Sequence, residues 1–431
     1  MTKQKIKYRL APTNGKDELK NNIIFSKTVL PNGVRIISEE IKTSSSFAFG
    51  VFVDAGSNCD FKNLDGLAHF VEHASFRKTR KNSGRKLNTA FESIGAYTNA
   101  FTTKEATCYY VRAIQDNFKP CVRLMSEIVL HPIYIEKDIE KEKLIIMEEI
   151  KSYDDEPEEV IFDYGDKILF GSNALSHPIV GNLKSVKNIK LNDVVDFHNQ
   201  YYSPSNTVIS YAGPLEHQRL TDIILQYFSK FDFYPSNDSV KPDFSEVIHT
   251  PTSLTFKKRF SQTHLLMNRL VGGMDSDDRY KIAALNFILG EGLSSRLHKK
   301  LREDRSLVYT VYSSLQLFKK TGNISIYAAG EKNNHDKIRM LVEKELKNLA
   351  INGITKLELK IAKEQLKSNT IMALESMSAR IQNIAKSELS LGYNESLTEI
   401  IEKIDCIAID DLNDIASKYF FPENWSSIIF I

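Results

Sequence analysis

Disulfides, membrane spans and a charged nucleic-acid surface are all missing from this chain. Its 431 residues hold four cysteines, Cys59, Cys108, Cys121 and Cys406, with no Cys-x-x-Cys spacing, which excludes a stapled secreted scaffold and a cysteine-based zinc site. They read as buried or free thiols in a reducing compartment. No apolar run approaches the roughly 18 to 20 residues that a membrane helix needs, so no membrane span is expected. Lysine plus arginine number 57 against 55 for aspartate plus glutamate, a net charge of +2 without a dominant block of one sign. That balance gives no electrostatic case for a nucleic-acid partner. The lone tryptophan, Trp425, offers no stacking platform. Met1 to Asn22 lacks a signal-peptide core. Its first sixteen residues are basic and without acid, and residues 1–24 read as a disordered leader in preference to a transit sequence.

What the chain does have is length, a faint repeat and one dense motif. At 431 residues it exceeds one comfortable domain. The polar stretch from Tyr234 to Ser245, with Pro235 and Pro242, reads as a linker and places a boundary near residue 240. Thr107 to Val129 can be laid beside Ile324 to Leu346 without gaps, matching Tyr110 with Tyr327, Asn117 with Asn334 and Leu124 with Leu341. In each copy an alternating, strand-like run leads into a helix-like run.

The dense motif is His69-Phe70-Val71-Glu72-His73. Asp65-Gly66-Leu67-Ala68 before it and Ala74-Ser75-Phe76 after it carry no proline, and Asp65 is a plausible N-cap, so the segment reads as helical. Histidines at i and i+4 share a helix face and can grip one metal ion. Two imidazoles with a spare carboxylate suit Zn²⁺, with Glu72 placed to take a proton from an activated water. A histidine pair can also simply pack in a half-buried helix, so a third ligand is the natural test. On a second predicted helix, 139–150, Glu142 and Glu149 lie seven apart, within about 20° of one another around the axis, in a stripe with Ile145 and Ile146. Glu148 lies on another side. Carboxylates on an apolar stripe need a compensating charge, although residue chemistry alone leaves a solvated glutamate face as an alternative.

The inverted His-x-x-Glu-His motif, with a glutamate 76 residues after His73, resembles the pitrilysin/insulinase family of zinc peptidases, the inverzincins. Similar landmarks follow in family order: Leu30 to Arg35, Asp54 to Ser57, Gly66 to Phe76, Tyr97 to Thr102, Tyr201 to Asn206, and Ser294 to Leu297 through Leu301 to Tyr309. One local departure is Ala74-Ser75-Phe76-Arg77-Lys78, where the family commonly has Met-x-Phe-Lys-Gly. The resemblance implies an α+β fold of two similar halves, each a mainly antiparallel sheet packed with helices: a zinc-binding domain over 25–240 and a homologous domain over 241–431 that contributes to substrate binding. It implies one Zn²⁺ per chain held by His69, His73 and Glu149, with Glu72 as general base and Glu142 orienting the ligands or the water. Arg302 and Tyr309 match the family pair that binds substrate and stabilises the oxyanion. Asn99, Ala100 and Thr102 match its peptide-receiving edge strand.

The implied activity is zinc-dependent endopeptidase cleavage of short or unfolded peptides. The alternative is a non-catalytic structural or assembly subunit of the respiratory core-protein type. The length resembles the half-size branch, which includes mitochondrial processing peptidases and bacterial relatives, and which pairs to enclose a chamber. A homodimer is expected, or else a heterodimer with a non-catalytic homologue. The glycine-rich loop of that partner is absent from Phe287 to Leu293. The expected location is a bacterial-type cytoplasm, with the mitochondrial matrix as alternative.

Overall fold

The computed structural model describes residues 23–229, 247 and 249–431. Most of the expected leader and the expected linker near 240 lie outside the described residues. The leader's last two positions do not, because Ile23 and Ile24 already belong to a strand. The first sheet contains β1 (Ile23–Val29), β2 (Arg35–Ile41), β3 (Ser46–Val53), β4 (Tyr97–Thr102), β5 (Thr107–Ile114) and β6 (Thr207–Gly213), ordered β1-β2-β6-β3-β5-β4. Every neighbouring pair is antiparallel except β2 and β6.

The central strand β3 shows how the sequence sets the layers. Its period-2 alternation sends Phe47, Phe49, Val51 and Val53 to one face, where they meet Phe70, Phe118, Phe197 and Phe228 from four different helices. Ala48 and Phe52 point to the other face, against Ile381, Ile384 and Ala385 of the helix Met377–Leu391. Both faces are covered, so nearly every residue of β3 is buried.

The second sheet contains β7 (Ser253–Phe256), β8 (Thr263–Gly272), β9 (Val308–Leu317), β10 (Thr321–Gly330) and β11 (Ser426–Phe430), ordered β7-β11-β8-β10-β9. Here too one pair, β11 with β7, is parallel and the rest are antiparallel. This order and sense repeat those of β2-β6-β3-β5-β4. The expected α+β fold with two similar, mainly antiparallel halves is therefore present. The faint sequence repeat maps onto β5 and β10, each followed by a helix, and Asn117 and Asn334 both occupy the N-cap position of that helix.

A single cut near residue 240 does not describe the domains. One compact unit holds the described residues up to Ile150, those from His177 to Ser229, and Ala373–Ser396; the other holds Lys151–Ser176, the described residues from Val247 to Met372, and Leu397–Ile431. Each sheet has a second face to bury, and in each case a helix from the opposite half of the sequence buries it. Met377–Leu391 covers the first sheet. Pro157–Phe170 covers the second, with Ile161 packed against Leu266, Ile428 and Phe430. Among the described residues no helix is long and apolar enough to cross a membrane. Cys59, Cys108 and Cys121 are buried and Cys406 is exposed, and among the described residues none is in a disulfide.

Candidate metal centre

The motif folds into the helix Leu67–Ser75, but Asp65 is not its cap. Gly66 is the N-cap residue, in a left-handed conformation with φ of 91° that favours glycine. The capping carboxylate arrives from Asp60, which accepts from the backbone N–H of Gly66 (2.6 Å) and of Ala68 (2.8 Å). Asp65 instead accepts from Asn182 Nδ2 at 3.3 Å, which draws its side chain away from the helix end. Leu67, Phe70, Val71 and Ala74 sink the other side of the helix into the core. Behind it, Ser75 Oγ donates to Val71 O (2.7 Å) and meets Tyr134 OH (3.1 Å), while the buried hydroxyls of Tyr109 and Tyr202 pair at 2.7 Å. The remaining face carries His69 and His73, whose ring centroids stand 4.5 Å apart.

Opposite this face runs the helix Glu136–Asp154, which brings Glu142 and Glu149 to the histidines. The expected apolar stripe is narrower than the sequence suggested, since Ile146 is buried but Ile145 is exposed. Glu142 is buried and accepts from His73 Nδ1 at 3.0 Å, which leaves Nε2 as the free atom of that ring. Its other oxygen accepts from Arg77 Nε. Glu149 Oε1 lies 3.9 Å from His69 Nε2, and its Oε2 lies 3.9 Å from His73 Nε2. One ligand atom from each of His69, His73 and Glu149 falls within 4.8 Å of the others. Tetrahedral zinc with bonds of about 2.0–2.2 Å sets donor separations of roughly 3.4 Å, so the three side chains would draw closer together around the ion.

Three donors converge here, yet the 3.9 Å separations are too long for hydrogen bonds among themselves. Among the described residues, the buried Nδ1 of His69 has no hydrogen-bond partner. Burial, helped by His73 and opposed by Glu142, pulls the His69 pKa down to about 3, so the ring is neutral, as a metal requires. Burial also acts to lower His73, but its bond to Glu142 and the charges of Glu72, Glu142 and Glu149 more than offset this and raise it. Burial would raise Glu142; its bonds to His73 and Arg77 win and hold it low. Glu72, one residue before His73, is pushed up by burial against the pull of Thr102 and His73. The donor set fits a zinc ion, and the carboxylate beside it fits a group that takes up a proton.

The helix faces a cleft of about 860 Å³ whose lining includes Glu72, His73, Arg77, Asn88, Asn99 and Glu142. Asn99 and Ala100 lie on β4, whose outer edge has no strand beside it among the described residues, and both line the cleft. Thr102 also lies on β4, but its hydroxyl donates to Glu72 Oε2 at 2.6 Å. Arg302 and Tyr309 belong to the other unit. Arg302 is exposed in the turn of helix His298–Glu303, with Nη1 3.5 Å from His298 Nε2, and Tyr309 is 58% exposed on the edge strand β9. Sequence reading missed Asp60 and Arg77 as contributors. Arg77 was visible as a cation four residues after His73, whereas nothing in the sequence links Asp60 to a helix that starts seven residues later.

Residues 35–182 match the family model described as insulinase (peptidase family M16), and residues 188–366 match the one described as peptidase M16 inactive domain. A Bacillus subtilis protein named as an uncharacterized zinc protease, YmxG, is 32% identical over 390 residues, covering 90% of this chain and 94% of that one. An uncharacterized zinc protease of Rickettsia felis is 28% identical over 419 residues, covering 95% and 98%. Among solved structures, a protease from Helicobacter pylori superposes with a TM-score of 0.89 at 20% identity, covering 95% of this chain and 100% of that one. A peptidase M16 inactive domain from Pseudomonas fluorescens gives 0.83 at 20% identity, covering 94% and 97%.

Proposed function

This chain belongs to the insulinase family of peptidases, family M16, as a half-size member, and on that footing we propose that it is a zinc-dependent endopeptidase acting on short or unfolded peptides. The observation that carries the proposal is the convergence of His69, His73 and Glu149 within 4.8 Å, with Glu72 on the same helix. Those three side chains would hold one Zn²⁺ per chain. Bound there, the ion supplies Lewis acidity, which makes a water nucleophilic near neutral pH and polarises a peptide carbonyl.

The chain's own groups do the rest. Glu72 takes the proton from the attacking water and delivers it to the leaving amine. The buried Glu142 fixes the His73 tautomer through Nδ1 and so keeps the Nε2 lone pair toward Glu149, while Arg77 holds Glu142 in its ionised form. The open edge of β4, with Asn99 and Ala100, receives the peptide backbone in extended form, which selects for chain segments that are not already folded. Arg302 and Tyr309 are assigned to substrate binding and oxyanion stabilisation through the second half of the family fold. We also propose that two copies of the chain pair around the substrate, a heterodimer with a non-catalytic homologue being the other arrangement.

The test is Glu72→Gln. Purified parent and variant should each contain about one zinc per chain, removable by chelator, and only the parent should cleave fluorogenic peptides. A folded, zinc-loaded variant that cleaves as fast as the parent would remove Glu72 from the reaction, and a parent that purifies without zinc affinity would favour a scaffold role.

A further inference from the structure

Glu72 has two chemically equivalent oxygens, and only one of them can face the water at the moment of proton transfer. In this structure Oε2 is taken. Thr102 Oγ1 donates to it at 2.6 Å, the short distance of a bond to an ionised acceptor. Both residues are held by one anchor. The turn after β3 gives Asp60 to the N-terminus of the motif helix and, from its backbone, Ser57 N–H to Thr103 O (3.1 Å) and Asn58 N–H to Lys104 O (2.9 Å). Contact is so close that a Cβ on Gly56 would sit 2.2 Å from Thr103 O. The end of β4 and the start of the helix are thereby registered to the same five residues. Thr102 itself is paired with Thr107 across the β4–β5 hairpin, and its branched Cβ restricts the hydroxyl to few rotamers.

We infer that Thr102 is a positioning residue for Glu72: its hydroxyl occupies Oε2, stops the carboxylate from rotating, and leaves Oε1 as the oxygen that accepts the proton. Thr102 therefore links the strand edge that receives the peptide to the group that activates the water. A peptide that pairs with β4 would stiffen the strand carrying Thr102 and, through it, the carboxylate. The inference rests on the peptidase reading above, in which Glu72 is the general base. It adds to the role that the resemblance gives Thr102, a place on the peptide-receiving edge strand, because a hydroxyl that donates to Glu72 has no proton left to give a peptide carbonyl.

Thr102→Val keeps the size and the β-branch and deletes the donor; Thr102→Ser keeps the donor and deletes the methyl group. With zinc-loaded proteins and a fluorogenic peptide, Thr102→Val should lower kcat roughly ten- to hundredfold, the effect of one lost hydrogen bond to a charged group. KM should stay within about twofold and zinc content unchanged, while Thr102→Ser should recover most of kcat. A Thr102→Val enzyme with parental kcat, or a Thr102→Ser enzyme as slow as the valine variant, would overturn the role. So would a rise in KM at constant kcat, which is the signature of a substrate contact. A crystal structure of zinc-loaded Thr102→Val decides the matter without turnover: Glu72 is expected to leave its present rotamer, and an unmoved carboxylate rejects the inference. Failure of the underlying reading looks different, since Glu72→Gln would then cleave like the parent whatever residue stands at 102.

Discussion

His69 and His217 are equally buried, each 8% exposed, and what their nitrogens meet separates a candidate ligand from a structural histidine. Both nitrogens of His217 are used: Nδ1 bonds Ser38 Oγ at 2.7 Å and Nε2 bonds Thr28 Oγ1 at 2.9 Å. His69 has an Nδ1 without a hydrogen-bond partner among the described residues and an Nε2 facing a carboxylate beyond hydrogen-bonding range. Burial pulls the His217 pKa down to about 4. The folded chain therefore keeps that ring neutral while the unfolded chain protonates it near the ordinary value of about 6.5. Between those values the unfolded state binds more protons, so the contribution is fully present above about pH 6.5 and is lost as pH falls toward 4. Glutamine at 217 does not titrate. By urea unfolding, the stability gap between parent and His217→Gln should shrink by about 1.4 kcal/mol between pH 7.5 and 5.5. A gap that is the same at both pH values would show that the ring is not held neutral. At this scale the motif residues were legible, because helical spacing alone puts His69 and His73 on one face and the family distance supplies Glu149. The contacts of Thr102 with Glu72 and of Arg77 with Glu142 were not legible, because contacts between elements leave no periodic trace.

The motif helix depends on a group that local sequence rules do not search. N-cap residues normally lie immediately before the first turn, which is why Asp65 was the natural candidate. The turn Ser57–Cys59 and the left-handed Gly66 instead bend the chain so that Asp60 reaches two of the helix's unpaired N–H groups. Asp60→Ala should cost about 1–2 kcal/mol in unfolding free energy, the usual value of a lost cap. Because that helix carries His69, Glu72 and His73, zinc affinity measured by chelator competition should fall in the same variant. Asp65→Ala should leave both quantities nearly unchanged, since its carboxylate meets Asn182 at 3.3 Å and His177 at 3.8 Å and none of the helix's N–H groups in the described residues. If the two alanine variants behaved alike, the cap would not be where the geometry puts it.

Duplication was faintly legible in the ungapped match of Thr107–Val129 with Ile324–Leu346, and the strand orders bear it out. The exchange of helices was not legible. Amphipathic periodicity says that Met377–Leu391 has an apolar face, but both sheets present apolar faces and periodicity does not choose between them. The choice is made by fit: Gly50 on β3 lacks a side chain where Ile381 Cδ1 approaches within 3.1 Å of the position a Cβ would take, and Ser210 Oγ donates to Ile381 O at 2.9 Å. A residue more than 300 positions after the motif therefore supports the sheet on which the motif helix rests. Ile381→Ala removes a fully buried side chain at a packed interface and should cost about 2–5 kcal/mol. The loss should fall on the unit that carries the candidate metal site, so the variant should release zinc at lower urea than the parent. Ile415→Ala, a comparable truncation in the core of the second unit, should have a smaller effect on zinc release than on total stability. If Ile381→Ala left the zinc-release midpoint where it stands in the parent, the helix from the second half would not be part of the structure that holds the site.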